Sequence, residues 1–426
     1  MKMRLCGLIA CTCGGAAALG APLTPGNLVV MQVGPAGTAS GEIVLAEYSK
    51  AGSAVGNSIA LPFAGADAMA MPSISNRDRH LHRSSDGRLI TLTAYNTTPS
   101  AIDPSTTASS AAPRSVVLLD FHGKLDLSTR LNASYDGTSI RGAATLDGSG
   151  IWTGGDNAGG GTVTGGTLYT IRGSSTANNL SQVQVNGGAK TPDNIRDIAI
   201  FGNDIYVCSG SNASVGRGVF RVGPGGFPTS GSQPLTTITP DGPGTTQFQF
   251  LDLNPAESGY DVMYLVATNP ADSVRRYVKV SGVWNFRGAL ASSALTDHIV
   301  AEPDGSGGVD LYIATPSKIA KIHDPAPLTG TAAQFGALSI NTIATPPANW
   351  QFGGIVFSTQ FCVGDLNNDL VVDDADFVLF AGAYNTLLCE DPAMPYPCPA
   401  DFNSDGLVDD ADFVAFANGY DVLLCP

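Results

Sequence analysis

The sequence is poor in charge, in histidine and in long apolar runs. Only 14% of its 426 residues are charged, and five are His. Charge this sparse provides no basic patch to neutralise phosphates, so we expect no nucleic-acid partner. Beyond the first twenty residues, no run approaches the roughly 20 apolar residues of a membrane-spanning helix. Long amphipathic helices are also missing before residue 370, and we expect no transmembrane segment.

Glycine and proline are abundant instead. The chain has 51 Gly and 27 Pro, with short runs of Val, Ile, Thr and aromatic residues between them. This composition is typical of many short strands joined by tight turns. The length predicts two or three domains. We divide the chain into a signal peptide (1–20), a β-rich body (27–360) and a small C-terminal domain (362–426).

The N-terminus has the organisation of a signal peptide. Lys2 and Arg4 are followed by an apolar stretch, Leu5–Leu19, and cleavage after Gly20 leaves small residues at the cleavage site. A lipoprotein signal is the alternative, because Leu8-Ile-Ala-Cys11 fits a lipobox and would leave a lipid on Cys11. Both predict export, to an extracellular or cell-surface location.

Acidic charge is concentrated near the C-terminus. Thirteen Asp and Glu but no Lys or Arg lie from Cys362 onward, so nearly all of the net charge of −15 belongs to this segment. Carboxylates at fixed spacing indicate a divalent cation. Four of the eight Cys lie in the same segment, and in a small exported domain such a set predicts disulfides.

The acidic segment contains an internal repeat with an offset of 36 residues, which aligns Cys362 with Cys398 and Cys389 with Cys425. Each copy has oxygen-bearing side chains at positions 1, 3, 5, 9 and 12 of an EF-hand-type calcium loop, whose position 7 contributes a backbone carbonyl. A helix with one aromatic face follows each loop. The predicted ligands of two calcium ions are Asp365, Asn367, Asp369, Val371, Asp373 and Asp376, and Asp401, Asn403, Asp405, Leu407, Asp409 and Asp412.

These residues resemble the type I dockerin family, with two loop–helix repeats, Asp at position 12 and no helix entering the loop. The resemblance covers residues 362–426 and implies a module that folds with Ca²⁺ and docks on a cohesin domain. In the family, residues near positions 10, 11, 17, 18 and 22 contact the cohesin, and the later ones are often basic. None is basic here, so a standard cohesin partner does not follow, and a cohesin-like or other protein partner stays open. The residues at these positions are Asp374, Ala375, Ala381, Gly382 and Thr386, and Asp410, Ala411, Ala417, Asn418 and Val422.

Two further expectations follow from the resemblance. The sharp turn at position 6 of the loop favours Gly. The second loop has Gly406 at this position, whereas the first has Leu370, so we expect the first loop to bind calcium more weakly. For the cysteines, both pairing within repeats (Cys362–Cys389 and Cys398–Cys425) and end-to-end pairing (Cys362–Cys425) are reasonable. We favour pairing within repeats.

The body of the chain contains five pairs of strand-like runs, each preceded by a further short strand, at a spacing of roughly 50–60 residues. This pattern predicts the four-stranded blades of a β-propeller. The runs Asn27–Val33, Glu42–Tyr48 and Ser58–Phe63 look like a blade that lacks its first strand, and Gln351–Ser358 looks like that strand. We therefore predict an all-β fold, a six-bladed propeller with seven blades as the alternative, followed by a small α-helical dockerin-like calcium-binding domain.

Catalytic motifs are sparse in the body. No Gly-x-Ser-x-Gly or His-Glu-x-x-His motif is present. His80 and His82 share one face of a strand and could line a metal or sugar site, but we favour a polar edge or loop before the Asp86-Gly87 turn. We interpret the other three histidines as surface or satisfied core residues. They are His122, His298 and His323. Candidates for acid–base work are Asp252, Asp261, Asp297 and Glu302.

Two functional hypotheses follow. The first is an exported, non-catalytic binding or scaffold protein, in which a propeller with a mouth for an unknown ligand is presented by a calcium-dependent docking module. The second is an extracellular carbohydrate-active enzyme, a propeller hydrolase or lyase, because dockerin-bearing proteins often degrade polysaccharide. The fold supports neither. The lack of a recognisable catalytic constellation favours binding.

Overall fold

The computed structural model describes residues 23–35, 38–73, 78–157, 164–180, 194–210, 216–292, 295, 297–359, 362–367, 371–403 and 405–423. The predicted leader with Cys11 lies outside the described residues, as do Asp369, Leu370 and Cys425. Among the helices of the described part, none combines the length and apolar character that a membrane crossing requires.

The described part of the chain contains 25 strands in antiparallel sheets. The first four strands are β1 (Leu28–Gly34), β2 (Ser40–Tyr48), β3 (Ala54–Ala60) and β4 (Met71–Pro72). Two four-stranded sheets follow, made of β5 (Leu81–Arg83), β6 (Leu89–Tyr95), β7 (Arg114–Asp120) and β8 (Leu125–Leu131), then β9 (Ile140–Thr145), β10 (Gly150–Gly155), β11 (Thr167–Ile171) and β12 (Asn178–Asn179).

Three more sheets of the same order complete the set. They are β13 (Ile195–Phe201), β14 (Asp204–Ser209), β15 (Gly218–Val222) and β16 (Leu235–Thr237); β17 (Thr245–Leu251), β18 (Val262–Ala267), β19 (Val274–Val280) and β20 (Val283–Leu290); and β21 (His298–Pro303), β22 (Val309–Thr315), β23 (Lys318–Asp324) and β24 (Asn341–Ala344). A short helix, α1 (Ala332–Gly336), lies between β23 and β24. The last strand, β25 (Gln351–Phe357), returns to the first sheet.

The six sheets are the blades of a six-bladed β-propeller, as predicted. The innermost strands are β25, β5, β9, β13, β17 and β21, and each packs against the next around a closed ring. Residues of neighbouring blades share apolar cores. Val29 and Met31 of β1, for example, belong to the same buried cluster as Ile90 and Leu92 of β6. The seven-bladed alternative is therefore wrong.

One blade is built from both ends of the propeller. Its strand order is β25-β1-β2-β3, with Leu28 opposite Phe357 and Val33 opposite Gln351. This confirms the predicted shared blade, although β3 begins and ends earlier than the expected run Ser58–Phe63. The N–H of Leu61 still donates to Ile43 O, but Pro62 has no N–H to continue the ladder.

Two glycines of β25 fit the shared blade to its neighbour. A Cβ on Gly353 would lie 2.8 Å from Arg79 Cδ, and one on Gly354 would lie 2.2 Å from Arg79 O. Only glycine allows the chain before β5 to approach this closely. The buried Arg79 guanidinium then donates to Pro72 O, to Phe352 O and to the side chain of Gln351. Burial lowers the pKa of Arg79 to about 10.

Two helices follow the propeller, α2 (Asp374–Thr386) and α3 (Asp410–Val422). Equivalent residues of the two repeats contact each other reciprocally. The Tyr384 hydroxyl donates to Asp410 and the Tyr420 hydroxyl donates to Asp374, both at 2.6 Å. Phe380 and Phe416 stack in the core between the helices with ring centroids 5.0 Å apart. These contacts relate the two repeats by an approximate twofold axis.

The disulfide pairing differs from our expectation. Cys389 is bonded to Cys398, so pairing within repeats is wrong. The twofold arrangement gives the reason, because it brings the end of α2 against the second loop, where the N–H of Cys389 donates to Gly406 O and that of Val408 donates to Leu387 O. Cys362 is also disulfide-bonded. The end-to-end pairing stays a prediction, since Cys425 lies outside the described residues.

Truncation before Gln351 removes β25 and exposes the edge of β1. We expect it to lower the melting temperature by about 10 °C or more, since a domain of this size loses roughly 2–4 °C for each kcal/mol of lost stability. Truncation after Thr359 keeps β25 and should cost far less. Thermal unfolding followed by circular dichroism compares the two. Equal melting temperatures would contradict closure through β25.

Candidate functional site

The second repeat gathers oxygen atoms in a compact loop. Asp401 is buried, and its carboxylate accepts the N–H groups of Asp405 and Gly406 at 3.2 and 3.0 Å. Asn403 Oδ1 accepts the N–H of Asp405 at 2.9 Å. Gly406 has φ +91°, a backbone conformation that an L side chain disfavours. These contacts turn the loop so that its first, third and fifth side chains lie together.

The twelfth residue of each loop closes it from the first turn of the following helix. Asp412 is fully buried, and its carboxylate accepts the N–H groups of Phe402, Asn403 and Asp409 at 2.7, 3.1 and 3.0 Å. Asp376 holds the first loop in the same way, through the N–H groups of Leu366, Asn367 and Asp373. Asp373 and Asp409 also cap α2 and α3. Carboxylates at the end of each loop thus order the loop and begin the helix.

The donor set fits calcium. Each loop buries two carboxylates, Asp365 with Asp376 and Asp401 with Asp412, and no Lys or Arg follows Cys362 to neutralise them. Carboxylate, amide and backbone carbonyl oxygens are the ligands that Ca²⁺ prefers. The sulfur atoms of Cys389 and Cys398 also lie near Asp401, but they are bonded to each other and provide no thiolate for a softer metal.

The propeller contacts the first position of both loops. Arg88, in the turn between β5 and β6, donates to Asp365 O and Leu366 O at 3.2 and 2.7 Å. His122, in the turn between β7 and β8, lies with Nε2 3.0 Å from Asp401 O. Burial lowers the pKa of His122 to about 4, although the hydrogen bond with Asp401 acts to raise it. His122 is therefore a neutral contact between the propeller and the second loop.

Tyr396 anchors the link between the repeats. It packs against the buried cluster of Leu89 and Leu131, and the Arg172 guanidinium lies 3.6 Å from its ring centroid. Burial of the hydroxyl raises the pKa of Tyr396. The segment after Cys362 thus rests on the propeller face formed by the turns β5–β6, β7–β8 and β9–β10.

The central channel contains a buried cluster of histidine and aspartate. His82 Nε2 lies 2.6 Å from Asp197 Oδ1, and His80 Nδ1 lies 3.7 Å from the same oxygen. The ring of His298 packs edge-on against His80, with centroids 4.7 Å apart. His80 lies in the loop before β5, and His82 lies in β5, which is the inner edge strand of its sheet, so the expected edge or loop before the Asp86-Gly87 turn is present. The two side chains are nevertheless withdrawn from solvent, because this edge faces the channel.

Glycine makes the His82–Asp197 contact possible. β5 and β13 are separated by β9, and a Cβ on Gly142 of β9 would lie 2.8 Å from Asp197 Oδ1. Asp197 was not among the predicted site residues, and the one signal for it in the sequence is Gly142, which leaves β9 without a side chain at this point. The described residues of this cluster do not form a convergent metal site.

The channel opens into a cavity of about 720 Å³ at the end of the propeller where the innermost strands terminate. Its described lining includes His82, Arg83 and Gln247, and an aromatic group made of Phe201, Phe250 and Tyr260. Lys50 and Glu302 form an ion pair at its edge, with Nζ and Oε2 2.7 Å apart. We call this cavity the channel mouth.

The four acidic candidates of the propeller have different surroundings, and Asp297 is buried directly before β21. Asp261 is buried and accepts the N–H groups of Leu253 and Asn254, which is a structural role. Glu302 pairs with Lys50, and Asp252 is exposed. Of the described residues that line the channel mouth, Glu302 is the single carboxylate.

No family model matches the chain, and no curated protein does. Solved structures that align with it include the nidogen/laminin complex, at 11% identity over 77% of this chain and 97% of that chain, with a TM-score of 0.43. A gluconolactonase from Xanthomonas campestris aligns at 12% identity over 78% and 89% of the two chains, with a TM-score of 0.34. A GH74 xyloglucanase from the same organism aligns at 11% identity over 77% of this chain and 43% of that chain, with a TM-score of 0.36. Similarity at this level carries no conclusion about function, and the propeller fold follows from the strand pairing itself.

We expect Asp197→Ala to destabilise the protein by about 1.5–3 kcal/mol, the range for a buried hydrogen bond to a charged group, because His82 loses its partner. Asp252→Ala, at an exposed position, is the matched control and should change stability by less than about 0.5 kcal/mol. Urea unfolding measures both. Equal effects would mean that the channel cluster contributes nothing specific to the fold.

Proposed function

We propose that this chain is an exported calcium-binding protein, in which a dockerin-like module of residues 362–426 attaches a ligand-binding β-propeller to a protein partner. The observation that carries the proposal is the pair of loops closed by Asp376 and Asp412, each with two buried carboxylates and no cation in the segment. Burying two carboxylates in so small a loop is costly, even where backbone N–H groups donate to them. Two calcium ions would supply the counter-charge.

The outer faces of α2 and α3 support a protein partner. Phe377 and Val378 of α2 are 45% and 69% exposed, and the equivalent Phe413 and Val414 of α3 are 45% and 61% exposed. Adjacent exposed apolar side chains of this size are typical of interaction surfaces. Since both helices have acidic first turns, with Asp374 and Asp410, a partner with basic residues beside an apolar patch is the best match.

The channel mouth supports binding without catalysis. Most glycoside hydrolases use two carboxylates that face the substrate, whereas Glu302 is the single carboxylate in the described lining and is paired with Lys50. The carbohydrate-active enzyme is therefore the weaker hypothesis. Turnover of any member of a polysaccharide panel by the purified full chain would revive it.

Calcium titration of the full chain by calorimetry tests the proposal, and we expect two bound ions. Asp412→Asn should abolish binding at the second loop and Asp376→Asn at the first, because each removes the carboxylate that closes its loop. The second loop should bind more tightly, since it has Gly406. Binding should also raise the melting temperature, because the ion binds the folded loop.

Asp421→Asn is the control for the calcium titration. Asp421 is an exposed carboxylate of α3 that lies outside the loop, so its loss leaves the ligand set intact. Two sites with unchanged affinity are expected in this variant. Absence of binding heat in the unmodified chain would show that the segment is an acidic, disulfide-linked domain without a calcium function.

A further inference from the structure

The channel mouth contains an arginine that forms no ion pair with the described residues. Arg83 is largely withdrawn from solvent, and its one hydrogen bond there is a long one, 3.5 Å from Nη1 to Ser358 O. Burial alone lowers its pKa, with no acidic neighbour to oppose the effect. The other cation of the mouth, Lys50, is already paired with Glu302 at 2.7 Å. Arg83 therefore presents an uncompensated positive charge to the cavity.

An aromatic wall stands on the far side of the mouth. Phe250 and Tyr260 belong to the blade of β17, which lies opposite the blade of β5 in the six-membered ring, and Phe201 ends the neighbouring β13. Their ring centroids lie 5.1 Å (Phe201–Phe250), 5.6 Å (Phe201–Tyr260) and 5.9 Å (Phe250–Tyr260) apart. The Phe201 ring is nearly perpendicular to the rings of Phe250 and Tyr260, and Phe250 is buried behind the other two. The mouth thus has a cation at one side and, at the other, an apolar wall whose partly exposed rings are Phe201 and Tyr260.

We propose that the channel mouth binds a small ring-bearing carboxylate, with the carboxylate on Arg83 and the ring on Phe201 and Tyr260, which Phe250 supports from behind. This rests on the proposed ligand-binding role of the propeller and adds the chemical class of the ligand. A guanidinium forms two parallel hydrogen bonds with a carboxylate, which compensates for the loss of its hydration. Aromatic side chains pack against the apolar face of a ring, whether the ligand is a sugar acid or an aromatic acid.

The size of the cavity and its polar groups agree with this ligand class. A volume of about 720 Å³ lies within the range of small-molecule sites, roughly 300–1,000 Å³. Gln249 also lines the mouth, and its partly buried amide offers a hydrogen-bonding group for ring hydroxyls. Neutral ligands would leave Arg83 desolvated and unpaired, so the site discriminates against them.

Calorimetry on the calcium-loaded full chain tests the proposal with four probes, galacturonate, benzoate, galactose and inorganic phosphate. Binding of galacturonate or benzoate is expected, and which of them binds identifies the ring as a sugar or an aromatic group. Arg83→Gln should weaken that binding by about tenfold or more, the equivalent of about 1.4 kcal/mol. Arg83→Lys, which keeps the charge, should weaken it less.

One control variant and one further site variant complete the test. Arg287→Gln removes an exposed arginine of the outer strand β20 and should leave binding unchanged. Tyr260→Ala should weaken binding of the ring-bearing carboxylate without changing the melting temperature by more than a few degrees, since Tyr260 is only half-buried at the cavity edge.

Three results would overturn the proposal: galactose binding as tightly as galacturonate, phosphate binding as tightly as the ring-bearing acids, or no probe binding at all. Calcium titration of the same samples separates this failure from failure of the proposed function. If two calcium ions bind but none of the four probes does, the proposed ligand class is refuted and the proposed function is not.

Discussion

The pairing of β25 with β1 is the interaction on which the rest of this structure depends. A row of blades has an open strand at each end, and their backbone N–H and C=O groups stay unpaired until the row closes into a ring. Closure here joins Gln351–Phe357 to Leu28–Gly34 and sets the inner radius at which His82 reaches Asp197. It also fixes where the chain leaves the propeller, at the face that holds both the channel mouth and the two acidic loops.

Local patterns in the sequence were sufficient to predict the blades. Turn residues between short β-rich runs give the strand order, and matching runs at the two ends of the body indicate the shared blade. The proposed calcium ligands are equally local, since all six in each loop lie within twelve residues, and their binding of calcium stays a prediction. The exact end of β3 could not be predicted, because the N–H of Leu61 still forms one hydrogen bond and Pro62 then ends the ladder.

Contacts between distant parts of the chain could not be predicted. His82 and Asp197 lie 115 residues apart, and their meeting depends on the absent side chain of Gly142 between them. The disulfide illustrates a different limit. Aligning Cys389 with Cys425 shows that the two are equivalent in the repeat, but equivalence does not say which cysteines are neighbours. The twofold arrangement of the repeats, which joins Cys389 to Cys398, arises from packing of Phe380 against Phe416.

The exit of the chain from the propeller has a mechanical consequence. Directly after β25, the N–H of Ser358 donates to Asn27 O and its hydroxyl donates to Thr24 O. Once tension on the C-terminal segment breaks its contacts with Arg88 and His122, the force enters the propeller along β25. A pull parallel to a strand loads all of its hydrogen bonds with β1 at once, whereas a perpendicular pull would break them one after another. The strand that closes the ring is thus loaded in shear, the direction in which an antiparallel ladder resists force best.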